Sequence, residues 1–297
     1  MGIDAAARAR APRMVSLPAL ALTFNAFVWG VSWWPFRQLE AAGLHPLWAT
    51  TLIYAVALVV ITLWRPQAWG QLLRAPALWV LVLASGATNA AFNWGVTVGD
   101  VVRVVLLFYL MPLWSVLLAR ALLGERLSVA AGLRVVMALV GAAIVLWPEG
   151  GGWPLPRTLA EALGVIGGFT FALNNVMLRR EADSPEAARA LAMFLGGALV
   201  AGVLAAVLAG RGMAPWLPAP APVWVIGALL MSALFLAGNL ALQYGAARLP
   251  AGVTAVVMVT EVLFASVSAV LLGAGSVTLQ LLGGAALIIG AALLAAR

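Results

Sequence analysis

Ten stretches of roughly twenty almost uninterruptedly apolar residues follow one another along the chain, separated by short polar or proline-bearing connections. They cover 17–36, 46–64, 77–97, 101–119, 129–147, 159–178, 187–209, 223–245, 252–272 and 277–296. Each has about the length a helix needs to cross a hydrocarbon core of about 30 Å. The pattern predicts an all-α integral membrane protein of ten transmembrane helices, with no room for a soluble domain.

The largest gap in the pattern, 148–158, leaves five stretches on either side, so the chain divides into 1–147, a connecting loop, and 159–297. The two parts are related in sequence. Asn89, Asn93, Trp94 and Gly95 in the third stretch recur as Asn239, Gln243, Tyr244 and Gly245 in the eighth, 150 positions on (239 − 89 = 150). Leu122, Leu123, Gly124 and Gly141 face Leu271, Leu272, Gly273 and Gly290 at an offset of 149 (290 − 141 = 149). An ordered internal repeat of this kind marks duplication. An odd number of crossings per copy makes the second enter the membrane from the opposite side, giving two inverted five-helix repeats, the architecture of many secondary transporters with a substrate site near mid-membrane.

Composition supports the bilayer as solvent: 64% of residues are hydrophobic, 9% are charged, and mean hydropathy is +1.06. The formal charge of +7 is carried by arginine, since lysine is absent. It does not point to nucleic acid, because the arginines alternate between connections instead of forming one patch. With a cytoplasmic N-terminus, thirteen fall inside and Arg37, Arg103, Arg157 and Arg211 outside. That bias places both termini in the cytoplasm. The basic start is expected to be retained, since the apolar stretch after it lacks a small-residue cleavage site. With zero cysteines there are no disulfides or thiolate metal ligands, and the arginine- and alanine-rich usage suits a bacterial inner membrane protein.

Polar groups inside hydrocarbon must find partners, so their placement is informative. Asn89 and Asn93 lie four apart on one helical face, as do Asn239 and Gln243, and both faces are candidates for a shared central cavity. Interhelical hydrogen bonding is the competing explanation. Asn174 and Asn175 are adjacent, about 100° apart around their helix, so at most one is expected to face the cavity while its neighbour bonds another helix. Asn25 and Ser32 are the candidates in the first stretch, and some of Trp29, Trp33, Trp94, Tyr109, Trp114 and Tyr244 are expected to line a pocket for an apolar or aromatic solute. Glu261 is the carboxylate placed well within a crossing, a candidate for proton coupling or charge binding, with Arg103 as a candidate partner. Asp100 and Arg103, three apart, are expected to pair locally. Gly164 with Gly168 allows close helix approach, and Pro112 a kink. Trp64, Trp147, Trp153, Trp216 and Trp224 suit an interfacial aromatic belt.

Enzyme readings lack their residues. One histidine, His45, and no cysteine exclude a multi-ligand metalloprotease site. The aspartates are Asp4, Asp100 and Asp183, which do not make an intramembrane pair, and no Walker-type loop is present. No cofactor or metal is expected.

Trp29-Gly30-Val31-Ser32 in the first stretch, with Pro112 and then Leu122-Leu123-Gly124-Glu125-Arg126-Leu127-Ser128 after the fourth, resembles the drug/metabolite transporter superfamily, EamA type. The second half departs from that pattern: Glu261 or Val262 stands where a proline is common, and Ala274-Gly275 replaces an acidic residue. The tryptophan-rich first crossings are similar to bacterial exporters of aromatic and other neutral amino acids. The resemblance implies a basket of crossings one, three, four, six, eight and nine around a cavity opened alternately to either side, carrying an amino acid outward. A multidrug or cationic-metabolite exporter is the nearest alternative, and a non-transporting membrane scaffold subunit another.

Overall fold

The structure, a computed structural model, describes residues 17–124, 129–148, 153–246, 248–249 and 257–295. Arg8, Arg10, Arg13, Arg297, the 125–128 part of the motif after the fourth stretch, and the side chains of Pro112 and Gln243 lie outside the described residues. Among those described, every regular element is helical.

The helices are α1 (Leu17–Val31), α2 (Trp33–Ala41), α3 (Pro46–Trp64), α4 (Gln67–Leu73), α5 (Ala77–Val98), α6 (Val101–Phe108) and α7 (Met111–Leu123) in the first half. They continue as α8 (Val129–Leu146), α9 (Leu159–Arg180), α10 (Glu186–Gly210), α11 (Pro222–Ala246), α12 (Thr260–Leu271) and α13 (Leu279–Ala295). Among the described residues, five helical segments are long and apolar enough to cross a membrane: α3, the Val101–Leu123 segment, α9, α10 and Pro222–Leu242 of α11. A sixth is reached if α4 and α5, bent by 106°, are taken as one span. The ten expected stretches are thus helical where described, but length and apolarity qualify only these as crossings; α8, α12 and α13 contain shorter apolar helices.

Local chemistry explains the helix ends. His45 caps α3 by accepting from the Leu47 amide at 3.3 Å, with Pro46 at the first turn, where its missing N–H costs nothing. Asp100 caps α6 by accepting from the Arg103 amide at 2.9 Å. Thr158 and Glu161 form a reciprocal capping box on α9. The fourth stretch breaks after Phe108, because Pro112 has no N–H to donate to the Phe108 carbonyl one turn back. Gly168 of α9 fits against that carbonyl, where an added Cβ would collide with backbone. The expected kink at Pro112 and the close approach at Gly168 are therefore one feature.

The halves pack by interleaving. α5 lies against α9 and α10, and α3 against α10 and α11. α1 lies against α11 and α12, α6 and α7 against α9, α6 against α12, and α8 against α13. Exchanging first-half helices for their second-half counterparts leaves this pairing scheme unchanged. At the α5–α10 crossing Gly86 meets the Gly196 backbone directly, which lets the helices approach closely enough to hold Tyr54 of α3 beside them. The periphery is apolar: Leu63, Leu83, Leu133, Val203, Leu230, Leu263 and Leu279 are exposed, as lipid-facing residues are. Trp64, Trp147, Trp153 and Trp216 are exposed near helix ends, as an aromatic belt requires. Trp224 is not part of that belt; it is buried, 6% exposed, in a cluster with Phe36, Leu39 and Ala228, because the first turn of α11 abuts α2.

Candidate functional site

A cavity of about 410 Å³ lies where the two halves meet. α1 contributes Asn25 and Trp29, and α5 contributes Ser85, Thr88, Asn89 and Phe92. The α6–α7 break contributes Phe108, Tyr109 and Met111, and α9 contributes Phe171, Asn174 and Asn175. The remaining wall is Phe235, Asn239 and Leu242 of α11, with Met258 and Glu261 within the ninth stretch. Tyr54 of α3 and Met193 and Phe194 of α10 complete it, so the second and seventh stretches join the six that the family resemblance implied.

Among the residues expected at the site, Asn25, Trp29, Asn89, Tyr109, Asn174, Asn175, Asn239 and Glu261 meet at this cavity. Both Asn174 and Asn175 line it, where at most one was expected, because the cavity spans more than the roughly 100° that separates them around α9. The other described ones lie elsewhere, and the Gln243 side chain is outside the described residues. Asn93 is fully buried and donates to Thr50 Oγ1 of α3 at 3.1 Å, one turn from Asn89, whose Oδ1 accepts from the Tyr54 hydroxyl. A two-rung ladder thus joins α3 and α5, and the shared face of Asn89 and Asn93 is an interhelical contact that only Asn89 extends to the cavity. Ser32 donates to the Trp29 carbonyl at 2.8 Å. Trp33 donates from Nε1 to Ser268 at 2.9 Å and carries the Arg37 guanidinium 5.1 Å from its ring centre. Trp94 packs edge-on to His45, and burial pushes the His45 imidazole below its ordinary value, which keeps it the neutral acceptor the α3 cap needs. Tyr244 lies under the Arg248 guanidinium at 3.9 Å.

The expected partnership of Arg103 with Glu261 is not formed. Arg103 instead makes a 2.6 Å ion pair with Glu161 at the N-terminus of α9. Glu161 also accepts from the Arg157 amide at 2.7 Å and the Thr158 amide at 3.2 Å. Asp100 accepts from the Arg103 backbone, not its guanidinium, and reaches across to the Ser276 amide at 3.2 Å. The reason is distance along the helix: Arg103 lies in the first turn of α6, whereas Glu261 faces the far end of that helix, where Tyr109 is. The Arg103 cluster borders a separate hollow of about 620 Å³ that also takes in Thr278 and Gln280.

Glu261 is 8% exposed, in the first turn of α12. Its hydrogen-bond donor among the described residues is the Tyr109 hydroxyl, 3.3 Å from Oε2 and also 3.3 Å from the Met258 carbonyl, so one proton serves two acceptors. Around it runs a chain of rings: Trp29 stacks on Phe235 at 4.6 Å, Tyr54 adjoins Phe235 and Phe194, and Phe108 adjoins Phe92 and Phe171. An apolar hollow with a few convergent polar groups has the character of a small-molecule site. Sequence reasoning missed Tyr54, Thr88, Phe92, Phe108, Phe171, Met193, Phe194 and Phe235. Tyr54 could have been found by its rarity, as one of three tyrosines in the chain; the phenylalanines carry no signal distinguishing cavity wall from core. Among the described residues no group of three or more histidine, cysteine, aspartate or glutamate side chains is placed to hold a metal.

The apolar helices and exposed apolar periphery are those of a multi-pass membrane protein. Residues 16–147 match the EamA-like transporter family, a family of the drug/metabolite transporter superfamily. No curated protein matches the chain. A solved structure titled "Crystal structure of protein" is similar in fold, with a TM-score of 0.57 and 19% identity over 94% of this chain and 96% of that one.

Proposed function

We propose that this chain is a secondary transporter that exports aromatic and other neutral amino acids across the bacterial inner membrane by alternating access. In this reading ten crossings form two inverted repeats, 1–147 and 159–297, joined by 148–158, with both termini cytoplasmic. The exchange-symmetric packing of the two halves supports it, as does helical structure in each apolar stretch where described. Seven stretches besides α10 wall the cavity at their common interface, where relative movement of the halves would expose it to one side and then the other.

The observation that carries the reading is the cavity itself, with five asparagines and a glutamate set in an aromatic wall. Its size and apolar rings suit a side chain such as that of phenylalanine or methionine, and the amides supply hydrogen bonds to a polar head. Purified protein in liposomes, tested with labelled phenylalanine, threonine and methionine, checks it. Saturable flux of at least one is the expected result. Folded protein that carries none of them removes the amino acid assignment, and the absence of flux for any small solute would favour a scaffold.

A second reading, export of organic cations, is favoured by one observation: the described cavity wall holds a carboxyl group, Glu261, and no basic side chain. Proton coupling through the same carboxylate belongs to both readings.

A further inference from the structure

The polar atoms around the cavity are unequally used. Three of the five cavity asparagines have their amide nitrogens engaged: Asn89 Nδ2 donates to the Ser85 carbonyl at 2.8 Å, Asn25 Nδ2 to the Met258 sulfur at 3.6 Å, and Asn174 Nδ2 to Asn175 Oδ1 at 3.4 Å. Asn25 Oδ1 and Asn174 Oδ1 are buried with no partner among the described residues, on residues 1% and 3% exposed. Buried acceptors left unmatched are costly in a folded chain and call for an explanation. Glu261 and the Met258 carbonyl share a single hydroxyl proton from Tyr109. Asn25 touches the same Met258 through its amide nitrogen, while its oxygen lies against Gly238 of α11.

A solute entering this space meets a carboxylate that shares one hydroxyl proton with a backbone carbonyl. No arginine or histidine is among the described residues lining it, and Arg103 is held by Glu161. Trp29 and Phe235, stacked on each other, add an aromatic surface to the wall. A primary ammonium brings three donors and one positive charge, which match the carboxylate. A substrate carboxylate finds no charge to neutralise it, and burying one unpaired is expensive.

We infer that the cavity reads the ammonium end of its substrate and not the carboxylate end, so that its substrates extend to aromatic primary amines, held with the amine at Glu261 beside Asn25 and the ring among Trp29 and Phe235. The inference rests on the transporter reading above for its direction of transport, and on the cavity alone for its chemistry.

The test measures binding to purified wild-type protein and flux in liposomes for phenylalanine, 2-phenylethylamine and 3-phenylpropionate, which share a ring and differ in their charged ends. Expected are amine binding at least as tight as that of phenylalanine and none detectable for the acid. Glu261→Gln should weaken amine binding by about tenfold or more, the loss expected for one charge-assisted contact, with an unchanged thermal transition. Binding of phenylalanine or the acid more tightly than the amine overturns the inference, as does an amine affinity unchanged in Glu261→Gln. If the variant does not fold, the three-ligand order on the wild type decides alone. Flux failing while the amine binds through Glu261 removes the transporter reading and leaves the inference standing; phenylalanine flux without amine binding does the reverse.

Discussion

Two buried glutamates, Glu161 and Glu261, stand at the first turns of α9 and α12, with 6% and 8% of their surface exposed. Their surroundings are opposite. Glu161 has an arginine, two backbone amides and a reciprocal cap with Thr158. Glu261 has half of one phenolic proton and faces the cavity. A carboxylate whose lone pairs are all answered by the protein is a fastener, here tying α6 to α9. One whose lone pairs are left open in an enclosed hollow is available to something that enters it. Burial alone does not separate the two roles; the count of donors does.

The largest expected effect comes from cutting the fastener. Glu161→Ala removes the ion pair and half of the capping box and leaves Arg103 without its partner. Because the Arg103 side chain is 33% exposed, the cost should fall below that of a fully buried pair, at about 2–3 kcal/mol. It is read as a lowered thermal transition of the purified protein; an unchanged transition would break the comparison from this side.

Glu261→Gln keeps the shape and still accepts from Tyr109, so stability should change by no more than about 1 kcal/mol, one neutral hydrogen bond. Transport should change instead. With an imposed pH gradient, flux through the variant is expected to lose its response to proton concentration. A response identical to that of the wild type would remove Glu261 as the proton site.

A smaller contrast is built into α5. Asn93→Ala should lose about 1–2 kcal/mol, because Thr50 is left buried with one partner fewer. Flux should fall only in proportion to folded protein, since Asn93 does not reach the cavity. Asn89→Ala frees the Tyr54 hydroxyl into the cavity wall, and flux per folded molecule should drop. Equal behaviour of the two variants would dissolve the distinction between ladder and cavity. Smallest of all is Trp94→Phe, which touches His45 and not the cavity and should leave flux unaltered within error while shifting stability by about 0.5 kcal/mol at most.

The helices and their apolar periphery were legible from the chain, because the length and hydrophobicity of each stretch are properties of that stretch and lipid imposes one solution on them. So were most cavity amides, since a polar side chain in an apolar run is conspicuous wherever it ends up. Which neighbour each meets was not legible. Helical periodicity puts Asn89 and Asn93 on one face but does not say that α3 covers that face and reaches past only one of them. The partner of Arg103 is 58 residues away and that of Glu261 is 152 residues away, and nothing local distinguishes them from other carboxylates and hydroxyls. The sequence by itself determined an apolar helical chain with a few stranded polar groups. The tertiary structure decided which of those groups answer one another and which remain open around a hollow, because the interleaving of the two halves sets every distance between their faces.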